Sequence, residues 1–169
     1  MPKTITLTNI MANNEKGWFP APLGNCSWQS STRTPGDGAK SSVKIIPSGG
    51  GECTLTSAEH DLVASHKYYI SFKVFYDSAA NCTFDWYWPV AEPSAASGLR
   101  VNAAAQTWTR ASSVFERTSF ADGRYPCRFD YNNENGNVTF WFTSCMLFDL
   151  TAAFGEGNEP SKEWLDRHI

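Results

Sequence analysis

Hydrophobic and polar residues alternate along most of this chain. In KYYISFKVFY (67–76) every second residue from Tyr68 to Tyr76 is apolar, whereas Ser71 and Lys73 fall between them. A period of two is typical of a strand with one buried face. Similar runs recur at 4–10, 41–47, 52–57, 81–90, 107–116, 124–132 and 137–150. The pattern therefore predicts eight or nine strands.

The stretches between these runs are rich in turn-forming residues. They include SSTRTPGDGAKSS, PSGGG, AEPSAASG and NNENGN. Gly reaches positive φ and Pro presets φ, so these stretches predict loops that join antiparallel strands. No helix of ordinary length is predicted between 1 and 150, so the sheets have to cover each other. We predict an all-β fold, a jelly-roll β-sandwich over residues 1–155.

The end of the chain has a different pattern. In EGNEPSKEWLDRHI (156–169), Asn158 is a candidate helix cap and Pro160 suits an early helical position. Trp164 and Leu165 form a small apolar face. We expect a turn and a short C-terminal helix over 156–169, either packed on the sandwich or linking away from it.

Composition narrows the class of protein. Aromatic residues make up 14% of the chain and charged residues only 18%, which favours β structure and recognition by flat rings. The net charge is -3 and the Lys and Arg residues are scattered, which argues against nucleic-acid binding. MPKTITLTNIMANN has no continuous apolar stretch after its lysine, so neither a signal peptide nor a membrane span is predicted. We expect a protein that stays soluble in the cytoplasm or becomes part of a larger particle.

The cysteines and histidines contain no recognisable catalytic or metal motif. The five cysteines form no CxxC pair and are expected to be free, buried thiols of a reducing compartment. No HExxH or G-x-S-x-G motif is present. A glycosidase needs two carboxylates across a cleft, for which Asp85 and Asp130 are the candidates, but a flat sandwich face rarely encloses a substrate. We predict that the chain is not an enzyme.

Three strands carry a consistent set of outward-facing polar and aromatic residues. In NCTFDWYWPV, the apolar set that includes Phe84 leaves Asp85 and Tyr87 on the opposite side. The same argument places Arg128 and Asp130 outward in RYPCRFDYN, and Trp141 outward in NVTFWF. Aromatic rings stack on the C–H faces of sugars while charged groups bond their hydroxyls. We therefore predict a glycan site at Asp85, Tyr87, Arg128, Asp130 and Trp141.

Two alternatives remain open at this site. In the opposite strand phase Trp86 and Trp88 are exposed, about 7 Å apart, and hold a sugar chain between them; the alternation favours placing this pair in the core instead. Trp141 either contributes to the site or only covers a sheet edge, in which case the charges form a solvated ion pair. Trp18 and Trp28, near loops, are further candidate binding rings.

Two families share motifs with this sequence. MLFDLTAAFGEGNEPSKEWLD (146–166) resembles a sequence common in tail and tail-fibre proteins of bacteriophages and prophages of Gram-positive and gut bacteria. Upstream, HKYYISFKV (66–74), TWTRASSVF (107–115) and GRYPCRFDY (123–131) resemble strands of jelly-roll carbohydrate-binding modules. The resemblance implies a β-sandwich in a phage tail that binds glycan or polysaccharide on the host surface.

The resemblance also implies a structural calcium ion. Jelly-roll carbohydrate-binding modules often hold Ca²⁺ between an N-terminal loop and an acid near the last strand, and Asp149 is at the matching position, with Glu15 as the other acid. The expected function is a non-catalytic carbohydrate-binding module of a virion. The alternatives are a purely structural virion protein whose rings contact other subunits and, less favoured, an accessory domain of a cell-wall hydrolase.

Overall fold

Strands form most of the molecule. The computed structural model describes residues 5–11, 22–24, 26–48, 51–78, 82–88, 98–101, 104–117, 120–133 and 138–169, without the side chains of 22–24, 51–53, 82–83, 98 and 131–133. The elements in these residues are β1 Pro22–Gly24, β2 Cys26–Ser31, β3 Ser42–Pro47, β4 Gly51–Leu62, β5 Lys67–Tyr76, β6 Cys82–Tyr87, β7 Gly98–Val101, β8 Thr109–Glu116, β9 Gly123–Asn133, β10 Phe140–Asp149, α1 Leu150–Phe154 and α2 Lys162–His168.

The strands form two antiparallel sheets of five. The first sheet has the order β1-β4-β9-β6-β7, and the second has the order β2-β3-β10-β5-β8. All neighbouring strands are antiparallel, and one face of each sheet packs on the other sheet. The predicted all-β sandwich is confirmed.

Aromatic rings from both sheets fill the core. Phe84 of the first sheet has its ring centroid 5.4 Å from that of Phe72 and 5.4 Å from that of Phe140, both in the second sheet. Phe129, from the strand beside Phe84, is 5.6 Å from Phe72. Ring pairs at such distances contribute about 0.5–1.5 kcal/mol beyond the burial of their area. The alternation in β5, β6, β9 and β10 therefore identified the buried faces.

The N-terminal segment is not the predicted strand. Residues 5–11 lie along β10, but the Asn9 side chain makes two of the contacts: it donates to the Cys145 carbonyl at 3.1 Å and accepts from the Leu147 N–H at 2.9 Å. The backbone N–H of Ile10 then donates to the Leu147 carbonyl at 2.8 Å. A side-chain amide takes the place of a ladder partner here, so no regular strand forms.

The C-terminal segment packs on the outer face of the second sheet. Leu165 of α2 is fully buried in a small cluster with Tyr69 and Phe148. Helix α2 begins after Ser161, whose hydroxyl accepts from the Trp164 N–H at 3.3 Å, and not after Asn158 as the sequence suggested. Ser at this position satisfies an otherwise unpaired helix N–H. Among the described residues, both helices lie beside the second sheet.

The cysteines correct one expectation. Cys26 is disulfide-bonded, whereas Cys127 and Cys145 are free. The prediction of five free thiols is therefore wrong for Cys26, because spacing along the sequence does not show which thiols the fold brings together. In the part of the chain that the structure describes, neither helix has the length and apolar character needed to cross a membrane.

Candidate functional site

The outer face of the first sheet carries two rows of polar side chains across its strands. Leu55, Phe84 and Phe129 point into the core, so their neighbours along each strand point outward. The first row, in register, is Thr54, Asp130, Asp85 and Arg100, and the second is Thr56, Arg128 and Tyr87. We call these seven residues the polar face.

Two carboxylates lie directly opposite each other in the polar face. Asp85 of β6 and Asp130 of β9 are Cα partners in the antiparallel ladder, and both residues are buried. Like charges at directly opposed positions destabilise a sheet. Each carboxylate therefore needs a cation of its own.

Arg100 supplies the cation for Asp85. Its Nε donates to Asp85 Oδ1 at 2.7 Å and its Nη2 donates to Oδ2 at 2.8 Å, which is the bidentate geometry of a strong charge-assisted pair. The Asp85 carboxylate raises the pKa of Arg100 above its usual value. These two hydrogen bonds use two of the five guanidinium N–H groups and leave three for other acceptors.

Arg128 supplies the cation for Asp130. Its Nε donates to Asp130 Oδ1 at 2.6 Å, and the Thr54 hydroxyl donates to the same oxygen at 2.9 Å. Arg128 Nη2 also donates to the Thr54 hydroxyl oxygen, at 3.3 Å. Three residues from two neighbouring strands thus form a closed network, so their side chains are held in one geometry.

Tyr87 lies between the two charged pairs. It is across the ladder from Arg128, and Asp85 and Arg100 are close enough to its hydroxyl to affect its pKa. Burial raises its pKa, and the negative charges of Asp85 and Asp130 raise it further. The phenol therefore stays neutral and keeps its O–H as a donor. The residue as a whole is only 8% exposed, so Tyr87 is less open than a stacking platform was expected to be.

Trp86 and Trp88 are core residues. Both are buried among rings of the sandwich interior, and Trp88 packs edge-on against Tyr68 at 5.0 Å. The Trp88 indole N–H donates to the Tyr125 carbonyl at 2.9 Å. This placement corrects the alternative in which the pair holds a sugar chain, and it agrees with the core reading that the alternation favoured.

Trp141 is on the other side of the molecule. Its strand β10 belongs to the second sheet, and the residue is 5% exposed on the outer face of that sheet. The indole N–H donates to the Ser31 hydroxyl at 3.1 Å, and the Arg33 guanidinium covers the ring at 4.5 Å. The expectation that Trp141 and Tyr87 share a face is wrong, because alternation places a residue inside or outside its own sheet without saying which sheet.

Asp149 is engaged at both oxygens. His66 Nδ1 lies 3.0 Å from Oδ1 and 2.8 Å from Oδ2, and the Ala152 N–H donates to Oδ1 at 2.9 Å, which caps α1. Within the described residues no three His, Cys, Asp or Glu side chains gather as a metal site. The Asp149 carboxylate thus caps α1 and pairs with His66, and the expected calcium site stays a prediction. Glu15 and Trp18 lie outside the described residues.

Residues of the tail-like motif hydrogen-bond to one another and to the start of β5. The Thr151 hydroxyl donates to Glu159 Oε1 at 2.7 Å and accepts from the Lys67 N–H at 2.9 Å. Lys67 Nζ lies 3.4 Å from Glu159 Oε2, and these hydrogen bonds lower the pKa of Glu159, that from Thr151 most strongly. The residues of the Asp-Leu-Thr and Asn-Glu-Pro motifs thus join the end of β10 to the start of β5.

Sequence reasoning missed Arg100 and Thr54. Arg100 lies in a four-residue strand, GLRV, of which the predicted loop AEPSAASG included only Gly98 and which no predicted strand included. Val101 is in the core and Leu99 packs against it, but two apolar residues around one charge are too short a pattern to predict a strand. Thr54 was within a predicted strand, but only the register with Asp130 gives it a role. Trp28, also a candidate ring, is half-buried against the core.

Comparison with known proteins supports the fold. No family model matches the sequence, and no curated protein gives a significant match. The chain is similar in structure to the CBM22-2 xylan-binding domain of Paenibacillus barcinonensis Xyn10C, with a TM-score of 0.51 and 11% identity over 86% of this chain and 99% of that one. It is also similar to a family 16 carbohydrate-binding module, with a TM-score of 0.56 and 15% identity over 82% of this chain and 99% of that one. The jelly-roll architecture is confirmed.

A bacteriophage protein is also similar. Tailspike protein 4 of bacteriophage CBA120 matches with a TM-score of 0.54 and 12% identity over 82% of this chain, but over only 20% of that chain. The chain likewise spans 28%, 27% and 49% of a xylanase, an arabinofuranosidase and a xyloglucan-locus protein. At these identities the likeness shows the fold alone.

Proposed function

We propose that this chain is a non-catalytic carbohydrate-binding module that binds glycans through the polar face. The observation that carries the proposal is the fixed pair of rows on the first sheet. Two arginine–aspartate pairs, two threonines and a tyrosine lie side by side across four strands. Both helices pack on the other sheet.

Fixed charged groups suit the hydroxyls of a sugar. A guanidinium donates in a plane and a carboxylate accepts, so each Arg–Asp pair offers both functions to neighbouring hydroxyls. Their geometry is set before binding by the networks around Asp85 and Asp130, which lowers the entropy that binding costs. Tyr87 contributes a phenol O–H and the edge of one ring, so hydrogen bonding is the larger part of the proposed mechanism.

We also propose a phage or prophage tail as the setting. The motif at 146–166 resembles tail and tail-fibre sequences, and the tailspike similarity is in keeping with that origin. Single sites of this kind are weak, and many copies on one particle make them effective. The second candidate is a structural subunit of the virion. It is favoured by Trp164, which is 44% exposed on α2 within the same motif.

A glycan array with the full chain tests the proposal. The variants are Tyr87→Phe, which removes only the hydroxyl, and Arg100→Lys, which keeps the charge opposite Asp85 but loses the planar fork. We expect each to weaken binding by about fivefold or more, the size of one hydrogen bond to a polar ligand. Trp141→Phe is the matched control because it alters a ring on the opposite face, and it should bind as the wild type does.

The outcomes separate the candidates. Binding that is lost in the folded Tyr87 and Arg100 variants, but kept in Trp141→Phe, supports the polar face as the site. Equal loss in all three would point to a general effect on the fold, which circular dichroism and thermal melting would reveal. If the wild type binds no glycan and forms a stable oligomer that Trp164→Ala dissociates, the structural role is favoured instead.

A further inference from the structure

A groove continues the polar face around the edge of the sandwich. It has a volume of about 470 Å³ and lies between β7, β8 and α2. Leu99 to Val101 form one side, Arg110 to Ser112 form the other, and Lys162 and Asp166 of α2 close it. Arg100 belongs both to the first row of the polar face and to the groove. A ligand longer than one sugar can therefore reach from one to the other.

In each ion pair along this path the cation is the more exposed partner. The side chain of Arg100 is 60% exposed and that of Asp85 is 9% exposed. The values are 27% for Arg128 against 9% for Asp130. For Lys162 and Asp166 they are 41% and 28%. The acids lie beneath the cations, so an approaching ligand meets positive groups first, although the whole chain has a net charge of -3.

Arg110 also lines the groove, but its guanidinium is engaged in hydrogen bonds within the protein. Its Nε donates to the Ser71 hydroxyl at 2.9 Å, and its Nη1 donates to the Asp166 carbonyl at 3.0 Å. Its Nη2 donates to the Tyr69 hydroxyl oxygen at 2.7 Å. This arginine holds α2 against the second sheet. Arg100 and Lys162 are left as the groove's outward-facing cations among the described residues.

We propose that the ligand of this surface is an anionic glycan whose negative groups lie along Arg128, Arg100 and Lys162. This inference rests on the proposed glycan-binding function and names the chemical class of the ligand. The negative group is either the carboxylate of a uronic acid or the phosphate of a phosphodiester-linked glycan chain. Both accept hydrogen bonds from guanidinium and ammonium groups.

Binding of defined polymers to the full chain tests the inference. The polymers are polygalacturonate, poly(glycerol phosphate) and neutral xylan, each measured by titration calorimetry at about 20 and 300 mM NaCl. We expect an anionic polymer to bind more tightly than xylan and to lose affinity with salt, because the screening length of exposed charges falls from roughly 20 Å at 20 mM to about 6 Å at 300 mM NaCl. The polymer preferred identifies carboxylate or phosphate as the anion.

Lys162→Gln tests the groove directly. We expect this change to weaken binding of the preferred polymer by up to about fivefold, as for one exposed charge pair. Lys162→Arg should restore the affinity. The matched control is Lys40→Gln, which removes an exposed lysine from the loop between β2 and β3 of the second sheet; it should bind as the wild type does.

The results that overturn the inference differ from those that overturn the proposed function. If xylan binds as tightly as the acidic polymers and salt has no effect on the affinity, the anionic ligand is rejected but the proposed glycan binding is not. If Lys162→Gln and Lys40→Gln weaken binding of the acidic polymers equally, the placement of the ligand along the groove is rejected. If the protein binds none of the three polymers and no sugar of the array, both the inference and the function on which it rests are rejected.

Discussion

Asp166 is expected to anchor the C-terminal helix in a way that depends on pH. Its carboxylate accepts from the Tyr69 hydroxyl at 2.8 Å and pairs with Lys162 at 2.5 Å. Burial raises the pKa of this group, but hydrogen bonds from Lys162, Ser112 and Tyr69 outweigh that effect and lower the pKa to about 2. Because the folded protein favours the charged form, Asp166 stabilises the fold above the ordinary pKa of 3.8.

The magnitude follows from the same shift. A pKa lowered from 3.8 to about 2 corresponds to at most about 2.5 kcal/mol. The side chain is 28% exposed, so solvent screening reduces this to about 1–2 kcal/mol. The contribution is complete at neutral pH and is lost as the pH falls from about 4 through 2. Asp166→Asn should remove it.

Urea unfolding followed by tryptophan fluorescence measures this contribution. At pH 7 we expect Asp166→Asn to be less stable than the wild type by about 1–2 kcal/mol, and the difference should shrink toward zero near pH 2. Asp61→Asn is the control, since Asp61 is 86% exposed and its contact with Arg124 is a surface pair. Equal stability of Asp166→Asn and wild type at pH 7, or a difference that persists below pH 2, would refute the reasoning.

Two further predictions concern the polar face and the core. Arg100→Gln should lower the free energy of unfolding by about 1–3 kcal/mol, because it leaves the buried Asp85 carboxylate without its cation. Adding Asp85→Asn should recover part of this loss. If thermal melts of the wild type, the two single variants and the double variant show additive effects, the pair is not coupled. Burial raises the pKa of the Cys127 thiol, so iodoacetamide at pH 8 should modify Cys127 only after unfolding, and labelling of Cys127 in the native protein, seen by peptide mass spectrometry, would contradict this placement.

Local alternation was a good guide to the orientation of side chains. The inward set at Phe84 and Trp86 and the outward set at Asp85 and Tyr87 were both read from FDWYWP, and the structure places them so. The reason is that successive side chains in a strand point to opposite faces whatever the strand pairs with. The same rule identified Arg128 and Asp130 as neighbours on one outward face.

Short elements and long-range contacts were beyond the reach of the sequence. Strands β1 and β7 have three and four residues, too few for a period of two to stand out from a loop. The disulfide at Cys26 depends on which segments meet in space, as does the replacement of a ladder partner by Asn9. Neither kind of contact has a local signature.

The sequence by itself determined the all-β class, the buried and exposed faces of the long strands and the short helix at the end, because these follow from side-chain size and polarity at fixed spacing along the chain. Only the tertiary structure decided which outward residues share a surface. It placed Trp141 on one sheet and Tyr87 on the other, and it brought Arg100 beside Asp85. The physical reason is that strand order and register bring together residues that are far apart in sequence, and neither can be inferred from one strand alone.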